Sequence, residues 1–300
     1  MNHNPAIRAR YLVVASLLLG GCGSATSGVG GSPPTPRRAA TPSGAAAPTK
    51  ASGLLYRPVR ERRYAIERHD SLTLQYPGGA IQEQVRDRIA HIRLMLAESG
   101  EPGLYQMTIE LDSLQAWENG APVPPDSAAA ARGTRWTATL SATGKLSTLE
   151  ADRSGTLSDE LTGRLRLLFP EFPADGARPG SEWTDTTRYR LVADAFPGTE
   201  ESVTTYRATG ASGARQGITL ESSGSYSRSG TRFQADQELR MAGIGTRRGT
   251  YRLGPDGLPL SVNGSDAGDM TVTVVTVGQT VPVKQGGSFS IVAAGPSGGR

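Results

Sequence analysis

The stretch Tyr64-Ala-Ile-Glu-Arg-His-Asp-Ser-Leu-Thr-Leu-Gln-Tyr-Pro-Gly-Gly-Ala-Ile-Gln-Glu-Gln-Val-Arg-Asp-Arg-Ile-Ala-His91 reads in two incompatible ways. As a helix, Ile81, Val85, Ile89, Ile92 and Leu96 form a stripe at helical spacing. As a hairpin, Tyr76-Pro77-Gly78-Gly79 forms the turn, with Pro and Gly at the central positions of type II. Facing Tyr76 to Gly79 brings Leu74 to Ile81, Ile66 to Ile89, Glu67 to Arg88 and Arg68 to Asp87. Two apolar and two opposite-charge pairs are what cross-strand neighbours prefer. Leu72 opposite Glu83 is the one poor match. This register predicts a buried face of Tyr64, Ile66, Leu72, Leu74, Ile81, Val85 and Ile89. Its solvated face carries Glu67, His69, Thr73, Gln75, Gln82, Gln84, Arg86 and Arg88.

The neighbouring segment favours strands. Residues 104–112, LYQMTIELD, alternate strictly and follow a Ser99-Gly-Glu-Pro-Gly103 turn. Pairing Leu96 with Tyr105 brings Leu94 to Met107, Ile92 to Ile109 and His91 to Glu110. The apolar phase switches near Ala90, which predicts a bulge or bend there. Further strands are expected at 135–140, 145–151, 183–193, 202–208, 217–225, 233–241, 250–253, 258–263 and 271–277. The turns Ser141-Ala-Thr-Gly144 and Gly254-Pro-Asp-Gly257 lie in similar sequences about 113 residues apart, which hints at an internal duplication. Between the strand blocks, Leu157, Leu161, Leu165 and Leu168 form one stripe. Thr156 and Asp159 suit a capping box, and Pro170 ends the helix.

The expected fold is mainly β: a long-stranded antiparallel sheet, a curved half-barrel or open barrel, with one amphipathic helix packed on it. The β domain spans 53–285, with similar halves at about 60–155 and 180–280 joined by helix 157–169. A Gly-rich tail follows at 286–300.

The first 22 residues place the domain. Arg8 and Arg10 precede a nine-residue apolar-dominated run, Tyr11 to Leu19, too short for a membrane span of about 20 residues. A basic start, a short apolar run and small residues form a secretory signal, 1–21. Leu19-Gly20-Gly21-Cys22 resembles the lipobox of bacterial lipoproteins, which implies cleavage before Cys22 and acylation of its thiol and amino group. Cys22 is the only cysteine among 300 residues, so no disulfide partner competes for it. Stable anchoring needs more than one acyl chain, and a triacylated cysteine supplies that. In that family a residue other than Asp after the cysteine, here Gly23, implies sorting to the outer rather than the inner membrane, facing the periplasm. Residues 22–52, nearly all Gly, Ser, Ala, Thr and Pro beyond Cys22, read as a disordered tether.

The connector ends in Pro179-Gly180-Ser181-Glu182-Trp183. This looks like a feature of uncharacterised all-β bacterial lipoproteins, over roughly 60–280. The long strands are also similar, at fold level, to LolA- and LppX-type carriers, which implies a curved half-barrel but no functional residue.

Little in the chain points to catalysis. Without Arg8 and Arg10, 30 basic residues face 28 acidic ones, which argues against nucleic acid as a partner. His69 and His91 are too far out of register to share a metal, and the residues from Gly264 to Asp269 lack the spacing of a calcium loop. No Gly-x-Ser-x-Gly elbow occurs, and His91 facing Glu110 is explained as well by a surface pair. No enzymatic activity, cofactor or metal is therefore expected. Tyr64, Tyr76, Tyr105, Trp117, Trp136 and Trp183 are candidates for lining a pocket. The function expected first is a membrane-anchored envelope lipoprotein that binds a lipid or other hydrophobic ligand without catalysis. The alternative is a structural or adaptor lipoprotein that presents a β surface to envelope proteins.

Overall fold

The computed structural model describes residues 53–191, 196–210, 217–234 and 236–294. The signal, Cys22 and the tether lie outside the described residues. Twelve strands form one open antiparallel sheet. They are β1 (Val59–Gln75), β2 (Ile81–Glu98), β3 (Leu104–Glu118), β4 (Ala121–Pro122), β5 (Arg135–Ser141), β6 (Glu150–Ala151), β7 (Glu182–Leu191), β8 (Gly198–Thr209), β9 (Thr219–Gln234), β10 (Gln237–Leu253), β11 (Pro259–Val274) and β12 (Gln279–Ala293). The spatial order is β6-β5-β3-β2-β1-β12-β11-β10-β9-β8-β7, with β4 beside β3. This is the expected long-stranded, open antiparallel architecture.

Two helices accompany the sheet. Helix α1 (Pro125–Ala131) is an addition to the single helix expected, and its Pro-Asp start and run of alanines were the available signal. Helix α2 (Thr156–Leu165) continues as a 3-10 turn over Arg166–Leu168. Gly155, not Thr156, caps it, and the Thr156–Asp159 capping box does not form. The leucine stripe is as expected: Leu157, Leu161, Leu165 and Leu168 are all buried in the main core. That core joins α2 to inward residues from both halves of the sheet, among them Ile92, Leu94, Trp136, Leu220 and Tyr251. A second, smaller core holds Leu74, Tyr76, Leu239, Val272 and Val281.

The β1–β2 hairpin differs from its expected register by one residue. Gln75 pairs with Ile81 and Glu67 with Ile89, so Arg68 faces Arg88 and His69 faces Asp87. The loop is longer than a two-residue turn. Tyr76 donates its amide to Ala80 at 2.8 Å, and Gly78 and Gly79 both take the left-handed conformation. Even-numbered residues of both strands therefore point inward, and no phase switch occurs in β2. Ile92, Leu94 and Leu96, at 0–1% exposure, fix that phase, since a strand cannot turn over midway without a break. Ile81 is left 64% exposed on the outside. The expected bulge does occur beside Ala90, between His91 and Ile92, but its extra residue lies in β3. There the inward set changes from Met107, Ile109 and Leu111 to Leu114 and Ala116. The β2–β3 register shifts by two, so Leu96 pairs with Met107 and Arg93 with Glu110.

Several expected boundaries dissolve into longer strands. Residues 250–253 extend back through β10, and 258–263 and 271–277 largely merge into β11. Only Glu150–Ala151 of 145–151 pairs as a strand, helped by a bridge from Leu140 to Leu146. The Gly-rich tail expected from 286 is strand up to Ala293, paired with β1 and β11. Glycines inside the long strands face inward at positions where a neighbour's side chain lies across them. A Cβ on Gly245 would come 2.4 Å from the Tyr226 ring, and one on Gly264 2.3 Å from Phe289. The β1–β12 pair joins the two halves into one sheet. The Gly144 turn closes an edge strand, whereas the Gly257 turn joins two central strands. Both turns nevertheless clasp one segment. Tyr56 donates its amide to Ala142 at 2.8 Å, and Arg57 donates to Asp256 at 3.0 Å.

Candidate functional site

One cross-strand row crosses nine strands on the inner face. Its members in order are Glu118, Arg86, Asp70, Gly287, Asp266, Arg247, Gly224, Thr204 and Asp185. Arg86 and Arg88, expected in one solvated patch with Glu67 and His69, point inward, while Glu67 and His69 stay exposed outside. The one-residue change of register separates them.

Arg68 is the hub of the interior charges. Its guanidinium donates twice to Asp70, once at 2.7 Å, and donates to Asp266 at 2.9 Å. It reaches Asp266 across β12 because Gly287 leaves the space. A Cβ there would come 2.5 Å from Asp70 Oδ1 and 2.7 Å from the Arg68 guanidinium. Helix α2 lowers Arg164 to within 4.0 Å of Asp70, and Glu160 to 3.2 Å from Arg88. Arg88 also donates to the Trp117 carbonyl at 2.7 Å. On the far side, Arg247 meets Glu200 at 3.4 Å, and Tyr189 donates its hydroxyl to the same carboxylate at 2.5 Å. Arg247 also lies over the Tyr226 ring, 5.1 Å from its centroid.

Burial alone would raise the Asp266 carboxyl pKa, but Arg68, Arg164 and Arg247 outweigh it and hold the group below the usual carboxylate range. Burial works against the Arg247 and Arg164 charges, yet facing carboxylates, Glu200 and Asp70 foremost, hold both pKa values above the ordinary arginine value. Four guanidiniums (Arg68, Arg88, Arg164, Arg247) thus meet five carboxylates (Asp70, Asp266, Glu118, Glu160, Glu200). This is a compensated network that fastens helix to sheet. Such a balance gives little net attraction for an added ion.

Between α2 and the sheet lies an enclosed space of about 20 Å³. Ile66, Leu114, Leu161 and Phe289 form its apolar wall, and Arg68, Arg88 and Arg164 its polar end. That volume holds about one water. None of the six candidate pocket aromatics lines it. Tyr64 and Trp136 are core, with Trp136 Nε1 donating to Thr162 on α2 at 2.8 Å. Tyr76 belongs to the smaller core. Tyr105 donates to the Tyr56 carbonyl at 3.1 Å, and Trp183 stacks on Tyr206 at 5.4 Å. Trp117 is half-buried and alternates with the inward Ala116. Sequence reasoning missed Tyr56, which stacks on Phe172 at 4.8 Å and donates to the Pro170 carbonyl at 3.0 Å.

Both described histidines lie on the exposed side. His69 Nδ1 is 2.7 Å from Asp87, and His91 Nδ1 is 2.9 Å from Ser113 Oγ. Glu110, the expected partner of His91, pairs with Arg93 at 3.0 Å. The outer face of β7 to β11 also carries an open groove of about 640 Å³, lined mainly by Ser, Thr and Asn with Glu182, Arg207, Glu221 and Arg248.

No family model and no curated protein matches the chain. Among solved structures, a protein of unknown function from the DUF3598 family of Nostoc punctiforme aligns over 74% of this chain and 94% of its own. The identity is 11% and the TM-score 0.11, and so slight a likeness carries no argument. No helix among the described residues is long and apolar enough to cross a membrane.

Proposed function

We propose that this chain is a lipid-anchored envelope protein that works by presenting its β surface to other envelope components. The observation that carries the reading is the occupied space beneath the helix: among the described residues, α2 packs on the inner face and the space between them leaves room for about one water. A carrier of acyl chains needs a pocket of about 300–1,000 Å³. The lipobox ending at Cys22 and the tether after it support an anchored domain standing clear of the membrane. The anchor is Cys22, and the outer membrane is its proposed site.

A second reading, a hydrophobic ligand bound beneath α2, is favoured by the apolar wall of that space. It requires α2 to leave the sheet. Mass spectrometry of the full chain under non-denaturing conditions separates the two. A chain free of small molecules, carrying an associated envelope protein, is the expected result, whereas a stoichiometric lipid noncovalently bound would overturn the surface reading. Cys22→Ala is expected to move the protein from the membrane to the soluble fraction. A variant that stays with the membrane would remove the lipid anchor from the proposal.

A further inference from the structure

Strand β7 ends the sheet and pairs only with β8, in continuous register over all ten residues. Ala208 donates its amide to the Ser181 carbonyl at 2.8 Å. Antiparallel alternation then turns the main-chain groups of Trp183, Asp185, Thr187 and Tyr189 toward β8. Those of Glu182, Thr184, Thr186, Arg188 and Arg190 point away from it. Among the described residues no backbone hydrogen bond reaches that edge, and the side chains of all five are exposed. Edge strands of this length are commonly blunted by Pro, a bulge or charged side chains; β7 has neither Pro nor bulge, and its charges, Glu182, Asp185, Arg188 and Arg190, are of mixed sign.

We infer that the β7 edge pairs antiparallel with β7 of a second copy of this chain, about a two-fold axis at Thr186. The charges of β7 are arranged for that axis. With Thr186 opposite itself, Glu182 faces Arg190 of the second copy at both ends. On the inner side, Asp185 faces Thr187 and Trp183 faces Tyr189. Arg190 has no ion pair among the described residues, while Glu182, paired with Arg207 at 2.9 Å in an exposed setting, retains lone pairs for a second guanidinium.

Adjacent registers are worse. Centring on Asp185 also brings Glu182 opposite Arg188, but it sets two like carboxylates directly opposite at the axis, which is destabilising. Centring on Thr187 matches no opposite charges along residues 183–191. The Thr186 register supplies about ten main-chain hydrogen bonds, typical of a specific interface, and its two-fold symmetry closes the assembly at a dimer. The inference goes beyond surface presentation and does not depend on the lipid anchor.

The test uses the full chain with Cys22→Ser, which removes its sole native thiol, and a single cysteine at 184, 186 or 188. Paired Cα atoms at position 186 would lie about 5.5 Å apart, within disulfide reach. Copies of position 184 would lie roughly 13 Å apart, four residues along a strand. Under mild oxidation Thr186→Cys alone is expected to form a disulfide dimer. Thr184→Cys and Arg188→Cys are expected to cross-link only when mixed with each other. Sedimentation of the Cys22→Ser chain is expected to show a dimer at micromolar concentration. A monomer, or equal cross-linking at all three positions, would overturn the inference. Amide protection of β7 that appears only when another envelope protein is added would overturn it too.

Discussion

Asp266→Ala is expected to destabilise the domain by about 3–5 kcal/mol, the usual cost of breaking a buried ion pair from one side. The carboxylate is 2% exposed and accepts a hydrogen bond from Arg68. Its removal leaves Arg68 with Asp70 alone, and returns Arg247 and Arg164 a share of uncompensated positive charge. Asp266→Asn keeps the shape and loses only the charge, so it separates the electrostatic part of the loss from packing. The same carboxylate makes stability depend on pH. Its folded-state pKa is lowered, so its contribution is present above the unfolded value of about 3.9. It is lost as pH falls through the lower folded value. Urea midpoints of the native chain and of Asp266→Asn should therefore differ widely at pH 7 and converge in acid. Equal midpoints at pH 7 would mean that the network contributes nothing net.

Leu165→Ala is expected to cost about 2–5 kcal/mol, the range for truncating a buried leucine. Typical domain stability is only about 5–15 kcal/mol, so the thermal midpoint should fall markedly. Leu165 is 0% exposed, and α2 has only ten residues. A helix that short is marginal in water and is held by its packing. Thr156→Ala, at the exposed first position of the helix, should change the midpoint little. A Leu165→Ala domain that melts like the native chain would place α2 outside the cooperative core. The occupied space beneath the helix would then no longer argue against a ligand there.

Much of the architecture was legible because it is local. Strict alternation in 104–112 marks a strand through steric and packing preferences that need no distant partner. The leucines at 157, 161, 165 and 168 mark a helix in the same way. The aromatic candidates were individually readable as buried or half-buried. Their neighbours were not, and Trp136 finding Thr162 while Trp183 finds Tyr206 depends on which strands come together.

Register was the hard part. The hairpin alignment read from the turn lies one residue from the one the structure forms, and the deep burial of Ile92, Leu94 and Leu96 fixes the latter. That choice moves Arg86 and Arg88 from solvent to the interior and makes a network possible. Gly287 read as part of a tail because its reason for being glycine is a pair of side chains on another strand, Arg68 and Asp70.

By itself, then, the sequence determined the antiparallel β class and the amphipathic helix, each written in contiguous residues and short-range periodicity. Tertiary structure alone decided that the inner face beneath α2 is packed and charged. Asp70 and Asp266 are 196 residues apart, and they become a pair of counter-ions for Arg68 only when β12 enters between β1 and β11 with a glycine at 287.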